Sequence, residues 1–272
     1  VVGWLKNYFM TNKEKLLKQS LAIRTFPILQ VETICDNFRY DDYTEVKPFE
    51  SIITEWLKPV IDLTDFPYLY PANGVTEGIN YWYMQEDRKV IRHKDDYVWL
   101  PESEIGDVLY MSNPSSSDGN LKEIPTDLPV VLDIAHIGSC STDIKIDVPN
   151  NVEKVFFSLS KCFGLRNYRI GYYWSKTPDK QLERLIGSAK YYNYHSMRLG
   201  EKILNKVGPT YVNTCLKKYQ DKLCDELDLI PSDSVWLATT TNKDYDKFKK
   251  GNINRISLCD LIKEEYDKSH KN

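Results

Sequence analysis

Three strand-length apolar runs constrain this chain most: "PVVLDIAH" (129–136), "KVFFSLS" (154–160) and "RIGYYWS" (169–175). None shows the polar alternation of a strand with one face in water. Near-continuous Val, Ile, Leu and aromatic residues suit strands covered on both faces, as in a mainly parallel sheet between layers of helices. "KVIRH" and "DVLYMS", upstream, read the same way. The 272 residues, 42% of them hydrophobic, are enough for such a core. Polar side chains that close these runs then call for a reason, because an unpaired carboxylate or amine is costly to bury.

Helical patterns flank the runs. Thr11 and Glu14 have capping-box spacing ahead of an apolar face of Leu16, Leu17 and Leu21. "PFESIITEWLK" starts with Pro48 in a favoured first-turn position and stops before Pro59. Val75 to Glu86 places Ile79, Trp82 and Tyr83 at helical spacing, and a long helix is predicted from Asp179 to Val207. Beyond it come a helix over Tyr211–Leu227, strands in "SVWLATTT" and "INRISL", and a charged helix from Asp260. The layout predicts an α/β fold with a reduced small α+β domain. Residues 46–190 form the large domain, 191–272 the small one, and 1–45 an N-terminal segment packing with the latter.

The net charge of -3 gives no basic excess for nucleic acid, and no stretch approaches the roughly 20 apolar residues of a membrane span. The first residues lack the n-region, h-region and cleavage site of a secretory leader. Six cysteines without a CxxC pair read as reduced thiols of a cytoplasmic protein, with no metal site. Cys162 reads as buried packing, since no histidine lies near it in sequence.

Against this background "SLSKCFGLRNYRIGYYWSK" (158–176) places Lys161 just after a buried strand. A lysine held there is partly desolvated, which lowers its pKa and makes a neutral amine available to attack an aldehyde. Ser158, Ser160 and Arg169 supply hydroxyls and a planar guanidinium, the chemistry a phosphate requires. An aldehyde that carries a phosphate is pyridoxal 5'-phosphate (PLP).

The segment resembles the cofactor-lysine signature of fold-type I, class I/II aminotransferases, S-x-S/A-K-x-F/A-G-L-x-x-x-R-x-G. Other pieces follow in the family's order. "YPANGVTEGIN" resembles the N-G-x-T-E turn into a helix, and implies that Gly74, Val75 and Thr76 hold the cofactor phosphate at a helix N-terminus. "MSNPSSSDGN" resembles S-N-P-x-N-P-T-G, with Asn113 on the phenolic oxygen and on the substrate carboxylate. "VVLDIAH" resembles V-I/V-x-D-E-A-Y, with Asp133 paired to the pyridine nitrogen. Tyr97 stands where the family stacks an aromatic on the ring, with Trp99 as a competitor. "NINRISLCD" resembles R-I/L-S/T-L/F, and Arg255 is the fork for the substrate's α-carboxylate.

The resemblance implies a homodimer with shared active sites that moves an amino group between an L-amino acid and a 2-oxo acid. Lys161 holds the cofactor as an imine and acts as general base and acid, with Asp133 as its catalytic partner. A tyrosine that crosses between subunits to the phosphate could be Tyr40, Tyr43 or Tyr70. Decarboxylase or lyase chemistry uses the same residues, and a degenerate non-catalytic paralogue is a third reading. One departure is prominent: His136 replaces the tyrosine that follows the aspartate, and a histidine's charge is expected to respond to pH near neutrality. The chain is also expected to be short for this family.

Overall fold

The computed structural model describes residues 10–39, 49–141, 143–189 and 191–270. Tyr40 and Tyr43 lie outside the described residues. The apolar runs form a six-stranded sheet of β1 (Tyr68–Ala72), β2 (Val90–Ile91), β3 (Val108–Ser112), β4 (Val130–Asp133), β5 (Val152–Ser158) and β6 (Gly171–Ser175), in the order β1-β6-β5-β4-β3-β2. β2 to β5 pair in parallel, and β6 runs antiparallel to both β5 and β1. β1 therefore points the same way as the parallel set.

The helices are α1 (Asn12–Lys18), α2 (Leu29–Asp36), α3 (Phe49–Leu57), α4 (Val75–Tyr83), α5 (Leu159–Cys162), α6 (Lys180–Leu182), α7 (Tyr194–Leu204), α8 (Tyr211–Leu227) and α9 (Cys259–His270). Strand alternation distributes the apolar residues between two layers. Tyr110, Val131, Phe156 and Tyr173 pack with Ile79 and Trp82 of α4 on one face. Met111, Leu132, Phe157, Tyr172 and Trp174 pack on the other with residues of α3, α7 and α8. Each buried aromatic removes on the order of 200 Å² from water, an upper estimate of about 5 kcal/mol apiece. Both faces are covered, which is why the strands read as continuous apolar runs.

A second sheet is antiparallel and joins β7 (Ile230–Pro231), β8 (Leu237–Thr240), β10 (Ile253–Ser257) and β9 (Lys249–Lys250) in that order. The predicted capping box forms on α1, where Thr11 Oγ1 accepts from Glu14 N and Glu14 Oε2 accepts from Thr11 N. α1 ties to the C-terminal elements through Asn12 to Glu226 and Lys13 to Asp244. Phe26 meets Trp236 edge-on, with ring centroids 5.3 Å apart. Among the described residues no helix is long and apolar enough to cross a membrane.

Some expectations change. The single helix from Asp179 to Val207 is broken: α6 continues into a π-helical turn over Glu183–Ser188, and α7 begins afresh with Asn193 as its cap, accepting from Ser196 N. A side-chain cap offers backbone amides an alternative to helical bonding, and periodicity alone does not register it. Leu21 lies past the end of α1 and is 59% exposed, outside the apolar face assigned to it. α2, β1 and the antiparallel direction of β6 were not anticipated.

Candidate active site

The sheet register decides where chemistry can gather. Ala72 and Ser158 both pair with Gly171, and Ser112 pairs with Asp133. The carboxyl ends of β1, β3, β4 and β5 thus meet the amino end of β6 at one edge, the usual crevice for ligands in open α/β sheets. A cavity of about 220 Å³ opens there. Val75, Thr76 and Tyr97 form one side of its wall, Asp133 and His136 another, and Ser158, Ser160, Lys161 and Arg169 a third.

One end of the cavity is rich in donors. Gly74 precedes α4 with φ +85°, and the N–H groups of Val75 and Thr76 donate to no acceptor among the described residues. Glu77 fixes this turn by accepting from Asn73 N and, at 3.0 Å, from Asn73 Nδ2. The Arg169 guanidinium lies against Gly74 and donates to Asn73 O, so a Cβ at Gly74 would stand 2.7 Å from Arg169 Nη2. A Cβ at Gly171 would come within 2.6 Å of Gly74 Cα, so glycine is required on both sides of this approach. Ser158 is buried, and the buried Ser160 Oγ has no hydrogen-bond partner.

The middle of the cavity holds the titratable groups. Lys161, on the short α5, donates to Ile23 O at 3.3 Å. Burial lowers its pKa, and the charges of Arg255 and Arg166 push the same way. Asp133 is 5% exposed at the end of β4, accepting from Tyr110 OH and from Ala135 N, each at 2.8 Å. Burial pushes its carboxyl up to about 6 despite these bonds, and the nearby Asp96 charge adds to the rise.

His136 corrects an expectation. Burial, reinforced by Lys161 and Arg255, holds the imidazole down at about 3, so it is neutral throughout the physiological range and does not titrate near neutrality. Its Nδ1 is buried without a partner.

Three assigned residues are not in the cavity wall: Asn113, Arg255 and Gly74, the last of which lies behind Arg169. Asn113 follows the inward-facing Ser112 and turns to the other side, where its Nδ2 donates to Lys122 O at 2.9 Å and its Oδ1 accepts from Lys122 N at 3.0 Å. The motif's second asparagine falls on Ser116, and it is Ser116 that lines the cavity, together with Ser112 and Pro114. Arg255 stands behind this loop, its Nη1 donating to Ser116 O at 2.6 Å and its Nη2 to Leu21 O at 3.0 Å. Tyr97 OH lies 3.1 Å from Thr76 Oγ1, whereas Trp99 points to Asn80 and is half exposed. Tyr70 is buried in its own chain, its hydroxyl donating to Glu183 at 2.6 Å.

Residues that the motifs did not single out line or back the wall. The carboxylate of Asp96 accepts from Ser112 N at 2.8 Å, from Ser112 Oγ and from Ser116 Oγ at 3.0 Å. The acid doublet in "HKDDYVWL" was the available signal for it. Arg166 also lines the cavity. All six cysteines are free, and Cys162 is fully buried.

No protein-family model and no curated protein sequence matches the chain. Solved structures do. Cystalysin from Treponema denticola, which contains pyridoxal 5'-phosphate, superposes with a TM-score of 0.64 at 13% identity, covering 98% of this chain and 93% of that one. Aspartate aminotransferase from Thermotoga maritima gives 0.62 at 12% identity, over 95% and 94% of the two chains. Histidinol-phosphate aminotransferase from Sinorhizobium meliloti, in complex with pyridoxal 5'-phosphate, gives 0.61 at 14%, over 97% of each. The chain has the fold of the PLP-dependent, fold-type I enzymes. Within that fold the cavity occupies the carboxyl edge of the large sheet, and Lys161 projects from the turn after β5.

Proposed function

We propose that this chain is a PLP-dependent aminotransferase that moves an amino group between an L-amino acid and a 2-oxo acid. One observation carries the reading: a largely buried lysine with a lowered pKa shares a cavity with a buried aspartate and with a donor-rich end. The residues fit PLP. The orphaned Ser160 Oγ, the free amides at the start of α4, Thr76, Ser158 and Arg169 suit a phosphate. Asp133, costly to ionise when alone, suits a protonated ring nitrogen, and the unpartnered His136 Nδ1 suits the phenolic oxygen.

When bound, PLP supplies an electron sink that weakens the bonds at a substrate's Cα. Lys161 Nζ is the group placed to anchor the cofactor aldehyde, and then to take the α-proton of the amino acid and return it. Its depressed pKa raises the fraction of neutral amine that can do so. Arg255 commits two of its five N–H donors to Ser116 and Leu21, which leaves three for a substrate carboxylate. A homodimer in the cytoplasm belongs to the same proposal. Its support is the exposed Met84, Val98 and Trp99 on the elements that flank the cavity.

The test has two steps. PLP is added, the adduct is reduced with borohydride, and mass spectrometry locates the modified residue, expected at Lys161. An amino acid and 2-oxoglutarate are then supplied, and glutamate is expected. Release of ammonia, thiol or carbon dioxide without amino transfer points to a lyase or decarboxylase instead. A chain that stays unmodified by PLP has no such activity.

A further inference from the structure

Arg166 is the cationic side chain of the cavity wall that the cofactor signature leaves unspecified, since position 166 is an x in that motif. Its guanidinium pairs with no carboxylate and donates to no acceptor among the described residues. Its backbone carbonyl accepts from Arg169 Nη1 at 3.4 Å, so the two arginines share one turn. That turn closes with Tyr168 N on Leu165 O at 3.1 Å and leaves through Arg169 in the left-handed region, at φ 54°. A non-glycine residue held there is strained, and such strain gathers at ligand sites.

Charge balance gives the turn a purpose. A phosphate monoester carries about -1.5 to -2 at neutral pH. The α4 N-terminus offers roughly +0.5 and Arg169 one full charge. The ionisable acids near the cavity are engaged elsewhere: Asp133 with Tyr110 and Ala135, Asp96 with Ser112 and Ser116. At full ionisation of the phosphate the donor-rich end is therefore about half a charge short without Arg166.

We infer that Arg166 is a second guanidinium for the cofactor phosphate, completing the anion site from within one chain. The inference rests on the PLP reading above. Because Arg166 is exposed, its replacement removes charge without opening the core.

The experiment compares equilibrium binding of PLP and of phosphate-free pyridoxal to the cofactor-free chain, as wild type, Arg166→Gln, Arg166→Lys and Arg169→Gln. Arg166→Gln is expected to weaken PLP on the order of 10- to 100-fold, the worth of a charged hydrogen bond, with pyridoxal binding unchanged. Arg166→Lys is expected to recover part of the loss. Equal PLP affinity in Arg166→Gln and wild type overturns the inference and leaves the proposed function standing. So does an equal loss for PLP and pyridoxal, which marks a structural role. Unchanged PLP affinity with a raised KM for dicarboxylic amino acids assigns Arg166 to substrate instead. Wild type that binds neither compound removes the proposed function, and the inference with it.

Discussion

The two ends of the cavity are built differently. The donor-rich end comes from two short continuous stretches, Gly74–Thr76 and Ser158–Arg169, each fixed by its own turn and helix start. At the opposite end Ser112 and Ser116 line the wall, backed by Asp96, Arg255 and the backbone of Leu21, brought together from four distant parts of the chain. Between them lie two buried titratable groups pushed in opposite directions, Asp133 up and His136 down. The lesson is that local geometry builds the first end, whereas the second depends on tertiary packing.

The largest effect is expected at Asp133. Its folded pKa of about 6 lies above the unfolded value, so ionising it costs stability, and that cost grows as pH rises from about 4 to 6. Asp133→Asn should stabilise the cofactor-free protein at pH 7.5 by about 3 kcal/mol, with the advantage gone by about pH 4. The same variant should lose on the order of 100-fold or more in turnover, because the ring nitrogen loses its counter-charge. Thermal melts across pH, paired with an amino-transfer assay, read both. A variant that is less stable at pH 7.5 would mean that Tyr110 and Ala135 satisfy the carboxylate fully.

His136 has the opposite sign. Its folded pKa is depressed, so the stability that its neutral form confers is present above about 6.5 and is lost as pH falls toward 3. Relative to wild type, His136→Tyr should gain between 2 and 3 kcal/mol (roughly) on acidification from pH 6.5 to 4.5. Urea titrations at a series of pH values check this. A stability difference that stays constant with pH would show that His136 accepts a proton within the fold.

Next in size is the donor-rich end. Gly74→Ala forces a Cβ against the Arg169 guanidinium at a backbone angle suited to glycine. It should destabilise the chain by about 1–3 kcal/mol and weaken PLP binding as Arg169 is displaced. Denaturation and cofactor titration together decide. Lost stability with intact PLP affinity would separate the arginine from the phosphate.

The sequence disclosed this end well and the other poorly, for a physical reason. Lys161, Ser158, Ser160 and Arg169 lie within twelve residues between β5 and β6, so a short stretch of chain brings them to one cavity. The continuous apolar runs likewise disclosed a sheet covered on both faces. Asp96 and Arg255 meet the Asn-Pro loop only after the N-terminal segment and the second sheet have packed, and no local pattern records that meeting. His136 looked pH-responsive because its type suggests it, while its burial is a property of the assembled core.

Asn113 shows the same limit at a single position, and gives the smallest expected effect. Strand alternation sends Ser112 into the cavity and Asn113 away from it, so the side chain of the first asparagine of the loop motif bonds the loop backbone. Asn113→Ala removes a buried two-way bond to the Lys122 backbone, and should cost about 1–2 kcal/mol of stability while leaving the Kd for PLP unchanged. Ser116→Ala, in contrast, alters the wall itself by releasing Asp96, and should change the Kd or KM with little loss of stability. Measuring stability and PLP affinity on both variants gives a crossed pattern if backbone parity governs this loop. A fall in PLP affinity for Asn113→Ala as large as for Arg169→Gln would mean that the loop turns over when the cofactor binds, and the far end would then be as ligand-shaped as the near one.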